Sequence, residues 1–346
     1  VKSFVIPPLN ESAMAEARAR HNQLTKPPGS LGRLEEVAVQ LAGITGVCPP
    51  PVPLRKAVLV FAGDHAVAAH GVSIAPSEVT RQMVFNFVAG GAAINVIARH
   101  AGARVTVVDA GIMSDLPALR GLVREKAGPG ANDISKGPAM TRAQAEAALL
   151  LGARCVEREL AQGLDLLACG EMGIGNTTPA TAIVSVLTGQ PPRRITGPGT
   201  GIRAEALERK IGLIETALAV NRPDPRDALD LLAKVGGYEI AAMSGAMLEA
   251  ASRRIPIMLD GFIATTAALV AAVLDPAVTG YLIAGHRSAE PAHDLALTHL
   301  GLQPLLDLGM RLGEGTGAVL AMTLVETAAG VLRDMATFAE AGVKVE

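Results

Sequence analysis

Near the end of the chain an acidic residue stands between two glycines: Glu314 in RLGEGTGAVLAM, flanked by Gly313 and Gly315. Small neighbours give such a carboxylate little side-chain cover and leave room beside it for a ligand, which suits a general base. The plainer reading is an acid at a helix start, interacting with the helix dipole. A second acid has a similar frame in GEMGIGNTTPATA, residues 170–182. There Glu171 is followed by Met172, Gly173 and Gly175, then by Asn176, Thr177 and Thr178. Glycines let a backbone approach a ligand, and free N–H groups at a helix start favour an anion. An ordinary strand-to-helix turn with a Thr cap is the alternative, because the run is neither GxGxxG nor a P-loop. A third glycine-rich turn, TGPGTGIRAEALERK, leads to Lys210, which either reaches a phosphate or belongs to a solvated helix face. Two acid loops of one kind need a joint explanation.

Other chemistries find less support. The seven histidines are scattered, with no HExxH, and His293 and His299 are six apart, which is not a ligand pair on one helix face. His65 and His286 end apolar runs, where they either touch a ligand or hold loops together. No GxSxG nucleophile elbow is present, and no metal site or cofactor is expected.

The elements that must position these residues follow a repeating pattern. Short apolar runs end in glycine plus a polar residue, and a helix-compatible segment follows each: KAVLVFAGDH, ARVTVVDAG, LDLLACGEMG, IPIMLDG and VTGYLIAGHRS. Apolar strands without alternation are what a parallel sheet covered on both faces requires. Strands alternating with helices give a doubly wound α/β fold, whose ligands sit beyond the carboxyl ends of the strands. The glycine-polar clusters fall there. The first fifty residues read as helical, with periodicity over residues 31–42, and the proline run at residues 48–53 separates this arm from the body.

Composition bounds the rest. Hydrophobic residues are 49% of the 346, so a large core is available, while aromatics are 2% and Trp is absent. Lys and Arg number 31 against 33 Asp and Glu, so the basic excess and stacking aromatics of nucleic-acid proteins are both missing. Three isolated cysteines with no CxxC spacing favour a reducing compartment. Neither a signal peptide nor a membrane span is expected, since the apolar stretch at residues 262–274 is too short. A cytoplasmic location is the expectation.

Six motifs in this order, KPPGSLGRLE, FAGDHAVAAHGVS, GEMGIGNTTPATA, LAKVGGYEIAAMSG, LDGFIATTAAL and MRLGEGTGAVLAM, carry a resemblance over nearly the whole chain. The chain resembles the nicotinate-nucleotide–dimethylbenzimidazole phosphoribosyltransferase family. The resemblance implies a Rossmann-like parallel sheet with helices on both faces, working as a homodimer. It also implies a small helical domain from both chain ends: an arm at 1–50, an α/β body at 51–315 and a C-terminal segment at 316–346. The implied reaction moves phosphoribose from nicotinate mononucleotide to dimethylbenzimidazole, giving α-ribazole phosphate and nicotinate for the lower ligand of cobalamin.

By the family pattern Glu314 is the catalytic base. Glu171 lies near the ribose, and residues 173–178 lie near the phosphate. Gly199, Lys210, Asp260 and Ser288, with Gly313 and Gly315, fall on further nucleotide-lining positions. Met172, Leu312 and Gln82 fall to the base pocket, and Ala75 stands where some relatives carry Ser. Two other readings remain open at this level. One is a pyrophosphate-dependent transferase or nucleoside phosphorylase acting on another purine-like base, although no acidic pair leads into a Thr-Gly loop. The other is a catalytically silent nucleotide-binding regulator.

Overall fold

The computed structural model describes residues 4–344. The five apolar runs fold as strands, and one short strand joins them. In chain order these are β1 (Lys56–Gly63), β2 (Ala103–Gly111), β3 (Leu122–Arg124), β4 (Leu166–Met172), β5 (Ile257–Leu259) and β6 (Leu282–Ala284). All pair in parallel in the order β3-β2-β1-β4-β5-β6, the doubly wound arrangement. The strand β3 was not expected. It has three residues on the sheet edge, two half-buried and one exposed, so it lacks the apolar run that marks the others.

Continuous apolar strands are explained by two cores, one on each face. Ala57, Leu59 and Phe61 of β1 and Leu167 and Cys169 of β4 enter one core. Val58, Val60 and Ala62 with Leu166 and Ala168 enter the other. Both halves of the period-two alternation are therefore buried, and the sequence shows no polar face. The first core is covered by helices Arg142–Ala161, Thr177–Thr188, Tyr238–Ser252 and Phe262–Leu274. The second is covered by Glu11–His21, Arg33–Thr45, Glu78–Ala89, Ala93–Ala101 and Thr316–Asp334. With few aromatics, burial of many small side chains stabilises both layers, each fully buried Val or Leu contributing about 1.5–3 kcal/mol.

The two chain ends meet. Arg20 Nε donates to the Leu332 carbonyl at 2.6 Å, and the Phe338 N–H donates to the Gln23 carbonyl at 2.8 Å. Helix Thr316–Asp334 packs on the N-terminal helices and also on β4 and β5, so the arm and the sheet share one core on that side. This helix is long and apolar enough, by length and composition, to cross a membrane. Its apolar residues, among them Val319, Met322, Val325 and Leu332, are instead packed in that core.

Candidate active site

The sheet order reverses between β1 and β4, and a cleft opens there beyond the carboxyl ends of the strands. The two acid loops form its floor together. Glu171 is the penultimate residue of β4, while Glu314 lies in the loop leading into helix Thr316–Asp334. Gly170 is the residue that lets them touch. A Cβ there would lie 2.3 Å from the Glu314 backbone carbon and oxygen, so any side chain would force the loops apart. Gly313 has a second such constraint. Its φ is +85°, and a Cβ would lie 2.2 Å from Glu171 Oε1. Glu314 itself has φ +63°, uncommon for a residue with a side chain.

Asp260, just after β5, holds this unusual loop. Its Oδ2 accepts the Gly315 N–H at 3.0 Å, and its Oδ1 accepts those of Gly317 at 2.8 Å and Ala318 at 3.0 Å. These are orphan donors of a helix start, and an acid suits them. His286 Nε2 stands 3.5 Å from the same Oδ1. Behind it the Ser288 N–H donates to His293 Nδ1 at 2.8 Å, so the proton of that ring sits on Nε2 and is directed at Thr265 Oγ1, 3.0 Å away. Burial drives the His293 pKa down to about 4, which keeps the ring neutral and the Ser288 loop fixed.

The cleft has a volume of about 380 Å³ and two kinds of lining. One is apolar, built by Ile74, Val79, Met83, Met172 and Leu312. The other is polar, with Asn176, Thr177, Gly199, Ser288, Glu290 and Arg311. The buried acids between them differ. Burial raises the Glu314 pKa to about 6; the Ile94 N–H at the start of helix Ala93–Ala101 works against that rise, and the Asp260 charge adds to it. Among the described residues Glu314 Oε2 has no hydrogen-bond partner. Glu171 is driven further, to about 8, by burial and then by the Asp260 charge, despite a hydrogen bond from Asn176 Nδ2. At neutral pH the first is mainly a carboxylate and the second mainly a carboxylic acid.

The polar corner is organised around Lys210, which the sequence leaves free to be a solvated side chain. The structure corrects that alternative: Lys210 is 0% exposed. Its Nζ donates to Thr177 Oγ1 at 2.8 Å and to the Gly197 carbonyl at 3.0 Å. Burial lowers its pKa to about 8, while the nearby Glu290 charge supports the ammonium form. Because Thr177 Oγ1 accepts from Lys210, its own hydroxyl hydrogen is available to a ligand. Arg311 Nη1 donates to the Gly199 carbonyl at 2.8 Å, pinning that loop.

Eleven of the sixteen positions that the resemblance assigns to the site line the cleft together: Glu171, Met172, Gly173, Asn176, Thr177, Gly199, Asp260, Ser288, Leu312, Gly313 and Glu314, and Ala75 and His286 line it as well. Five do not. Gln82 is exposed on helix Glu78–Ala89, whose phase turns Val79 and Met83, four apart, to the cleft instead. Thr178 is fully buried, Gly175 faces Ala68, and Gly315 packs behind the loop on Val58 and Gly170. Lys210 reaches the cleft through Thr177. The expected free N–H groups of the first loop are also partly engaged. Asn176 N–H donates to the Gly173 carbonyl, Thr178 N–H to that of Gly175, and Ile174 N–H to Thr80 Oγ1. Arg311, Glu290, Val79 and Met83 were missed. Arg311 had a signal, a cation three residues before Glu314. Among the described residues no group of three or more His, Cys, Asp or Glu is placed to hold a metal ion.

Fold and cleft together define a doubly wound α/β protein with a buried lysine beside paired acids. The chain belongs to the phosphoribosyltransferase family, whose match runs over residues 6–343. It is 55% identical over 343 residues to the nicotinate-nucleotide–dimethylbenzimidazole phosphoribosyltransferase of Roseiflexus sp. (strain RS-1), covering 99% of this chain and 97% of that one. The protein of the same name from Desulforudis audaxviator (strain MP104C) is 55% identical over 338 residues, 98% of this chain and 96% of that one. The crystal structure of CobT from Thermus thermophilus is similar at a TM-score of 0.94 and 49% identity, covering 97% of this chain and 100% of that chain.

Proposed function

We propose that this phosphoribosyltransferase moves the phosphoribosyl group of nicotinate mononucleotide to 5,6-dimethylbenzimidazole, yielding α-ribazole 5'-phosphate and nicotinate for cobalamin assembly. The observation that carries this reading is Glu314: a buried carboxylate with an unpartnered oxygen, set between an apolar wall and a polar corner. Glu314 takes the N–H proton of the benzimidazole, and the other ring nitrogen attacks the anomeric carbon. The electrons of the breaking C–N bond pass to the pyridinium nitrogen, so nicotinate leaves neutral at that atom and the proton ends on Glu314. Attack from the face opposite the leaving ring inverts the centre from β to α.

In this reading the apolar wall of Val79, Met83, Met172 and Leu312 receives the methylated edge of the base. Thr177, Gly199, Ser288, Arg311 and, through Thr177, Lys210 receive the phosphate. Glu171 faces the ribose. A homodimer belongs to the same reading. Ile74 and Leu312, on the cleft rim, are 69% and 56% exposed, and a second copy covering them would remove apolar surface from water. Light scattering on the purified chain tests that. A cytoplasmic setting completes the reading, in keeping with three free thiols.

The deciding experiment incubates the protein with nicotinate mononucleotide and dimethylbenzimidazole, adenine or inorganic phosphate in turn. Nicotinate and α-ribazole phosphate are expected in equal amounts with dimethylbenzimidazole. Nicotinate release with phosphate, and none with dimethylbenzimidazole, would replace the transfer by phosphorolysis.

A further inference from the structure

We propose that Thr80 is a positioning residue that sets the two substrates in register with each other. The inference rests on the transfer reaction proposed above. Thr80 lies on helix Glu78–Ala89 and is 0% exposed. Its Oγ1 accepts the N–H of Ile174 at 3.1 Å, a contact across ninety-four residues of chain. Burial raises the pKa of Asp64, just after β1, and the Thr80 hydroxyl facing it works against that rise. Asp64 in turn accepts the Met113 N–H at 2.9 Å through Oδ2, just beyond the end of β2. One hydroxyl thus joins a helix and a loop beside the rigid edge of the sheet.

The two things joined are two segments of the cleft lining. Val79 and Met83, on the same helix, supply apolar lining, while Gly173, Ile174 and Asn176 belong to the loop that leads to Thr177 and the Lys210 ammonium. Each substrate therefore meets a wall whose position is fixed relative to the other through Thr80. Thr80 itself does not line the cleft. A substitution there leaves each wall's own contacts intact and loosens only their relative placement. Binding of one substrate senses little of that. Bond formation between two substrates senses it strongly, since misplacement by about 1 Å can lower a rate by about a hundredfold. Valine is the informative replacement, because it keeps the shape and leaves the Ile174 N–H without its acceptor.

The test compares wild type, Thr80→Val and Thr80→Ser by steady-state kinetics with both substrates, and by amide hydrogen exchange. Thr80→Val is expected to lower kcat by about tenfold to a hundredfold with each KM changed less than about threefold, and Thr80→Ser to retain kcat within about twofold. Unchanged kcat in Thr80→Val, a loss confined to one substrate's KM, or failure of serine to rescue would each overturn the assignment. Amide exchange reads the tie without turnover. Thr80→Val should speed exchange at Ile174 while the β1 and β4 amides stay protected, and unchanged protection at Ile174 overturns the tie. If wild type shows no transfer at all, the function proposed above fails, and the exchange arm decides the tie by itself. Should Thr80→Val not fold, Thr80→Ala is read in its place against the same serine control.

Discussion

The loops carrying Glu171 and Glu314 look alike in sequence and behave oppositely in the fold. Both place an acid beside glycines ahead of a helix. Glu171 accepts from Asn176, lies under the Asp260 charge and is held at a pKa of about 8. Glu314 is also buried, yet its pKa reaches only about 6, with the Ile94 N–H facing it. Asp260, the third acid, is spent on three backbone N–H groups. The same chemical group is mainly a protonated acid in one loop, mainly a carboxylate in another and a helix cap between them. Neighbours, not motif, assign the roles.

The largest expected break of this comparison is Glu314→Gln. It should lower turnover by roughly two to four orders of magnitude, the span of a general base, while the nucleotide still binds. Near-normal turnover in that variant would take the base role from Glu314. The acid limb sharpens the point. Only the carboxylate form accepts a proton, so kcat/KM should fall about tenfold per unit as pH drops below about 6. The nucleotide's phosphate titrates in the same range. The limb is therefore read as the ratio of wild type to Glu314→Gln, in which that contribution cancels. A ratio independent of pH between 5 and 7 would be the contrary result.

A smaller effect separates the glycines. Gly313 and Gly175 have φ of +85° and +91°, so alanine at either should destabilise the fold by about 1–2 kcal/mol, seen as a lower thermal midpoint. Only at Gly313 would the new methyl strike Glu171; at Gly175 it would meet Ala68 Cβ at 3.2 Å. Gly313→Ala should accordingly also lower turnover by about tenfold or more, and Gly175→Ala much less. Equal losses of activity would mean that the contact with Glu171 has no bearing on the chemistry.

Much of this was legible in the sequence for a definite reason. Five strands show because both faces are buried, leaving unbroken apolar runs, and Glu171 and Glu314 show because each stands among glycines ahead of a helix. What could not be read depends on partners far along the chain. Gly170 looks like any strand glycine until the Glu314 backbone arrives on it. Lys210 looks solvated until Thr177 and the Gly197 carbonyl receive its ammonium. The helix phase that turns Val79 and Met83 inward and Gln82 outward is set by packing on the sheet. The strand β3 has only three residues and no apolar run to announce it.

The smallest predicted effect bears on Glu171 alone. At pH 7 a group with a pKa of about 8 is protonated about ten to one. A pyridinium ring joined to the ribose would bring positive charge toward it, and an opposite charge within about 4–6 Å favours the carboxylate. Nicotinate mononucleotide should then drive a proton off Glu171 as it binds, up to nearly one proton per site near pH 7 and progressively less as pH rises past 8. The product, whose benzimidazole is neutral, supplies no such charge and should leave that proton in place. Calorimetric titrations in buffers of different ionisation enthalpy count the protons, and Glu171→Gln subtracts those that come from the phosphate. Equal release by wild type and Glu171→Gln would mean that Glu171 does not answer the ring charge. The difference between the two acid loops would then be a property of the empty cleft, with no part in nucleotide binding.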